Sequence, residues 1–178
     1  MTKQILIAGF GGQGILFSGK FLAYAGLIEN KELSWLPSYG PEMRGGTANC
    51  SIIISDTKVG SPIVDHPDIL IAMNAPSAEK YETEVNEGGD IYIDSSLIIR
   101  KVERKDVNAY YIPATALAVD NGLKGLANMI ITGYMLKNSG VIDIADLEGA
   151  LKKVVPARKP EMFDLNKQAI MIGYNYEG

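Results

Sequence analysis

The chain has 178 residues, 47% hydrophobic and 21% charged, which is enough for one substantial core, and no stretch reads as a linker. A net charge of −4 and a pI near 5.1 exclude an electrostatic nucleic-acid binder, which needs clustered Lys and Arg to neutralise phosphates. Cys50 is the only cysteine and His66 the only histidine, which excludes an internal disulfide, a cysteine-only zinc site and a four-thiolate iron–sulfur cluster within this chain.

The same two counts leave no comfortable Cys-His or Ser-His pair, so no catalytic residue and no metal ligand set is expected here. Met-Thr-Lys-Gln leads straight into an apolar run, with no room for a signal peptide. The most apolar later segment, Leu126 to Leu136, is interrupted by Asn128, Thr132 and Gly133 and falls short of the ~20 residues of a membrane span. A soluble, cytoplasmic protein is the expectation.

In chain order, Gln4 to Ala8 reads as a buried strand ended by glycine, and Ile15 to Ile28 as a helix. Gly19, Ala23 and Gly26 share one face of that helix, so its backbone is expected to lie close against the sheet. Leu33 to Leu36 reads as a second strand, Pro37 to Gly46 as a loop, and Ala48 to Ile54 as a strand turning through Asp56-Thr57-Lys58 into a hairpin toward Val59 and Pro62-Ile63-Val64. Ile69 to Met73, Asp90 to Asp94 and Ala109 to Ile112 are further strands, and Pro76 opens a helix running to about Val85. Ile144, Leu147, Leu151 and Val154 form a helical stripe with Asp143 as cap, and Met162, Leu165, Ala169, Ile172 and Tyr176 form another. The expected fold is one α/β domain over residues 1–178: an open, mostly parallel, Rossmann-like sheet with helices on both faces and an antiparallel hairpin addition.

Gly9-Phe10-Gly11-Gly12-Gln13-Gly14 satisfies G-x-G-x-x-G between a strand and a helix, the context in which a pyrophosphate can approach the backbone and the helix N-terminus. The second half of that fingerprint is missing. A dinucleotide site needs an acidic residue at the end of the second strand, and here the strand ends Trp35-Leu36-Pro37-Ser38-Tyr39. No G-x-x-x-x-G-K-[ST] is present, so a P-loop hydrolase is not indicated. A free-standing Rossmann-type nucleotide-binding protein or NAD-dependent oxidoreductase stands as the alternative reading of this loop.

The second loop, Ser38, Tyr39, Gly40, Pro41, Glu42, Met43, Arg44, Gly45 and Gly46, follows the second strand on the side where open α/β sheets place their crevices. Arg44 is its anion donor, and Tyr, Met and Arg together suit the centre of a protein interface. A Glu42–Arg44 tie is the structural alternative.

GFGGQGILFSGK (Gly9 to Lys20) and WLPSYGPEMRGGTANC (Trp35 to Cys50), followed by GSPIV (Gly60 to Val64) and PDILIAMN (Pro67 to Asn74), resemble the gamma subunit of 2-oxoacid:ferredoxin oxidoreductases, the 2-oxoglutarate type above all. The resemblance implies a subunit, not catalytic alone, of an enzyme that oxidatively decarboxylates a 2-oxoacid to an acyl-CoA, releasing carbon dioxide and passing the electrons to ferredoxin or a similar low-potential acceptor. It implies alpha and beta subunits holding thiamine diphosphate and magnesium, iron–sulfur clusters in partner subunits such as a ferredoxin-like delta subunit, and coenzyme A at the interface. Gly9 to Gly14 and Ser38 to Gly46 would then line the surface that meets those subunits.

Overall fold

The computed structural model describes residues 1–38 and 47–178. Among them, six strands form one sheet in the order β2-β3-β1-β4-β5-β6. The strands are β1 (Thr2–Phe10), β2 (Glu32–Ser38), β3 (Thr47–Ser55), β4 (Ile69–Ala72), β5 (Asp90–Asp94) and β6 (Asn108–Ile112).

From β1 outward to β6 every pairing is parallel. On the other side β3 runs antiparallel to both β1 and β2. This corrects one expectation. The antiparallel addition is the β2–β3 ribbon itself, whereas Val59 to Val64 form no strand. Pro37 and Ser38 also belong to β2 and not to the loop; Pro37 is tolerated because β2 is an edge strand with an unpaired side.

Alternation along β1 explains the two layers. Ile5 and Ile7 face one side, into a core built with α1 (Ile15–Ile28), α3 (Ala114–Asp120), α4 (Ala127–Ser139), α5 (Leu147–Val154) and α6 (Glu161–Tyr174). Leu6 and Ala8 face the other, into a smaller core covered by α2 (Ala75–Tyr81). β4 is buried at all four positions, as a strand sandwiched between two layers must be.

Two helices are shorter than the sequence pattern suggests. α2 stops at Tyr81 and tightens into a 3₁₀ turn over Glu82–Glu84. The stripe from Ile144 is split likewise, with Asp143 capping a 3₁₀ turn, Ile144–Asp146, ahead of α5.

The close approach expected of α1 is present. A Cβ on Gly19 would strike Cys50 Sγ and come to 3.0 Å from Trp35 Nε1, and one on Gly26 would lie 2.8 Å from Leu33 Cδ2. α4 and α6 cross more tightly still: a Cβ on Gly133 would collide with the Ile170 carbonyl oxygen, and one on Gly173 with that of Ile130.

Candidate functional site

β1 and β2 point the same way, because each is antiparallel to β3. Their carboxyl ends, Phe10 and Ser38, therefore reach the same edge of the sheet as the ends of β4 and β5. This is the edge at which open α/β sheets bind. Tyr39, Gly40, Pro41, Glu42, Met43, Arg44, Gly45 and Gly46 lie outside the described residues.

The glycine turn is held by its own side chain. Gln13 Oε1 accepts from the Phe10 N–H at 2.6 Å, and Gln13 Nε2 donates to the Met73 carbonyl at 3.0 Å. A Cβ on Gly9 would lie 2.6 Å from that Gln13 oxygen. Gly12 and Gly14 have φ of 89° and 76°, so both need glycine. The Gln13 N–H closes the turn on the Phe10 carbonyl at 3.2 Å. Two N–H groups that a pyrophosphate could have used are thus spent within the turn.

The far side of the turn is tied to α4. Asn128 Nδ2 donates to the Gly14 carbonyl and to Ser18 Oγ, each at 3.1 Å. Nearby, Asp94 accepts from the Ser96 and Thr115 N–H groups and from Thr115 Oγ1, fixing the end of β5 against α3. Asn74 Oδ1 caps α2 by accepting the Ser77 N–H at 2.8 Å.

Two shallow cavities flank the turn. One, ≈ 290 Å³, is lined by Gly12, Gln13, Met73, Leu97, Val119 and Lys124 among others. The second, ≈ 270 Å³, is lined by Phe10, Gly11, Gly12, Ile15, Phe17 and Ala48 among others. Phe10, Leu97 and Val119 are 40%, 45% and 57% exposed, so the turn is ringed by apolar side chains facing solvent.

Sequence reasoning found Gly9, Phe10, Gly11, Gly12, Gln13, Gly14 and Ser38 at this edge, and the structure brings them there. It missed Asn128 and the Met73 carbonyl. Asn128 had a signal, a polar residue inside the most apolar later segment. Met73 contributes only backbone, which no residue identity reveals.

Cys50 lies in β3 beneath α1, fully buried, and burial pushes its thiol up to about 12. A thiol held protonated is no nucleophile. Among the described residues no cluster of His, Cys, Asp or Glu has the arrangement of a metal site, and no helix is long and apolar enough to cross a membrane.

The class follows from the topology. A dinucleotide fold needs a second parallel strand beside β1, carrying an acid at its carboxyl end for the ribose. Here that place is taken by β3, which runs antiparallel and presents its amino end to the edge. The molecule is a Rossmann-like α/β domain whose glycine turn packs on itself, and the NAD-binding alternative loses its structural ground.

The chain belongs to the pyruvate ferredoxin/flavodoxin oxidoreductase family, with residues 4–176 matched. It is 34% identical to 2-oxoglutarate synthase subunit KorC of Methanothermobacter marburgensis over 97% of this chain and 99% of the relative. It is 38% identical to ketoisovalerate oxidoreductase subunit VorA of Methanothermobacter thermautotrophicus over 96% of this chain, and spans only 35% of that relative's length. The crystal structure of the keto/oxoacid ferredoxin oxidoreductase gamma subunit from Geobacter sulfurreducens superposes with a TM-score of 0.82 at 28% identity, covering 97% of this chain and 96% of that one.

Proposed function

We propose that this chain is the gamma subunit of a 2-oxoacid:ferredoxin oxidoreductase, most closely of the 2-oxoglutarate type. The complex decarboxylates the 2-oxoacid, joins the acyl group to coenzyme A and passes the electrons to ferredoxin. The observation that carries this reading is the glycine turn, locked by Gln13 and surrounded by exposed Phe10, Leu97 and Val119. A turn that is tied down, apolar-rimmed and beside an antiparallel strand with no ribose-binding acid suits docking against another protein. Full-length correspondence with subunit KorC supports the 2-oxoglutarate assignment.

In this reading the chain supplies no catalytic group. Alpha and beta subunits bring thiamine diphosphate and magnesium, and iron–sulfur clusters reside in partner subunits, a ferredoxin-like delta subunit included. Gly9 to Gly14 and Ser38 to Gly46 form the contact surface, and Arg44 faces a coenzyme A phosphate held between subunits, a bidentate anion donor being suited to that task.

Co-expression with the neighbouring subunit genes tests the assignment. The chain is expected to co-purify with thiamine-containing subunits, and the complex to reduce ferredoxin with 2-oxoglutarate and coenzyme A in preference to 2-ketoisovalerate or pyruvate. A chain that purifies alone and oxidises a small substrate with NAD overturns it. Arg44→Ala in the complex should raise the KM for coenzyme A; unchanged kinetics and unchanged assembly remove Arg44 from that role.

A further inference from the structure

Three cavities adjoin in series, starting from the glycine turn. The first is the ≈ 290 Å³ cavity beside Gly12 and Gln13, which shares Gly125 with a second of ≈ 230 Å³ at the start of α4. The second shares Val155 and Pro156, in the α5–α6 connection, with a third of ≈ 350 Å³ against Phe163. Each exceeds the ~150 Å³ that accommodates a benzene ring, so each can take one large apolar side chain.

The walls are mostly apolar, and charge enters them in one sign only. Among the described residues that line the three cavities, the only charged side chains are Lys124 in the first, Lys159 in the second and Lys152 in the third. Lys152 and Lys159 belong to the run Lys152 to Pro160, which also holds Lys153 and Arg158 and has no acid, although the chain as a whole has 21 acidic residues against 17 basic. All five cations are exposed, and the ion pairs among the described residues leave them out. Glu148, one turn ahead of Lys152, is engaged by Lys167 instead.

Cations that repel one another beside apolar walls left in water are unfavourable on both counts. An occupant that relieves both must carry carboxylates interspersed with apolar side chains. A small anion would meet one lysine and leave the other cavities wet. A nucleic acid would meet a chain of net charge −4, which repels it outside this strip. A folded convex surface would rest on the Val155–Pro156 divide, whereas an extended chain can follow the series and place a side chain in each cavity, as peptides do in recognition grooves.

We propose that this groove binds an extended, acidic segment of a partner subunit, with apolar anchors in the three cavities and carboxylates on Lys124, Lys159 and Lys152. The inference rests on the subunit assignment above and names what docks beyond the glycine turn.

The test is lysine acetylation of the free chain and of the co-purified complex, read by mass spectrometry, with zero-length carbodiimide cross-linking of the complex. Lys124, Lys152 and Lys159 are expected to label in the free chain and to be protected in the complex. Cross-links should join them to Asp or Glu residues within one stretch of a single partner chain. Lys152→Glu combined with Lys159→Glu, both exposed, should leave thermal unfolding of the free chain nearly unchanged and weaken its binding to the partner by about tenfold or more. Labelling of the three lysines in an intact complex as in the free chain, or assembly unaffected by the double reversal, overturns the inference and leaves the subunit assignment intact. Cross-links between copies of this chain, cross-links scattered over a folded partner surface, or protection by added RNA in place of the partner overturn the choice of occupant. A chain that enters no complex with thiamine-containing subunits fails the assignment and this inference with it.

Discussion

Gln13 and Met73, 60 residues apart in sequence, are joined by an Nε2–H donated to a carbonyl at 3.0 Å, while the same amide accepts the Phe10 N–H. One side chain thereby fastens the glycine turn to the end of β4. Gln13→Ala removes both bonds and should cost about 1–2 kcal/mol in urea unfolding. Gln13→Glu is expected to cost more at pH 7, because a carboxylate facing the Met73 carbonyl cannot donate. That carboxyl's folded pKa would lie above its unfolded value near ~4.3. Its destabilisation is full above the folded pKa and disappears as pH falls through and below it. Between pH 7 and pH 4 the urea midpoint of the Gln13→Glu variant should converge on the parent's, while that of the Gln13→Ala variant should remain apart from it.

The α4–α6 crossing predicts a sharper loss. A methyl group on Gly133 or Gly173 meets backbone carbonyl oxygen, which cannot swing aside as a side chain can. Either Gly→Ala change should destabilise by about 3 kcal/mol or more, at or above the usual range for overpacking. Gly12→Ala tests the other reason for glycine: at φ 89° with open space around it, the cost should be about 1–2 kcal/mol of backbone strain. Thermal unfolding of the three variants ranks them. Equal losses at all three positions would refute the distinction.

What could be read in the sequence was what local pattern controls. Helix α1 matches its expected bounds, and the β4 and β5 runs stand within a residue of where apolar continuity put them. The antiparallel partner was misplaced because pairing is a non-local choice: the run Ala48 to Ile54 looks the same whichever neighbour it takes, and only the sheet shows that it separates β1 from β2. The turn's glycines were legible, since positive φ has a compositional signature. The Asn128 and Gln13 ties were not, because their partners are a backbone oxygen far along the chain or a residue on another helix.

Burial makes Cys50 a probe of that separation. It sits under Gly19 and Trp35 with its thiol pushed up to about 12, chiefly by desolvation. At pH 8 the native chain should resist thiol-reactive reagents, whereas the unfolded chain should react as an ordinary cysteine of pKa ~8.5. The labelling rate against urea concentration then reports opening of the α1–β3 contact. Fast labelling of the native chain would place Cys50 at the surface and contradict its position.

Asp56, just past the end of β3, sets an acid-side prediction. Lys31, which follows α1, is its largest stabiliser, followed by the Met1 amino group, and together they hold its carboxyl at about 2. A lowered carboxyl pKa contributes stability above the unfolded value of 3.8 and loses it as pH falls toward about 2. Asp56 and the Met1 amino group are exposed and Lys31 partly so, so salt should weaken the effect. Replacing Lys31 with Met should raise the Asp56 midpoint toward its ordinary value in a carboxyl-detected NMR titration, and 1 M salt should narrow the difference between the two chains. An Asp56 midpoint unaffected by the loss of Lys31 would mean that the ion pair does not persist in solution.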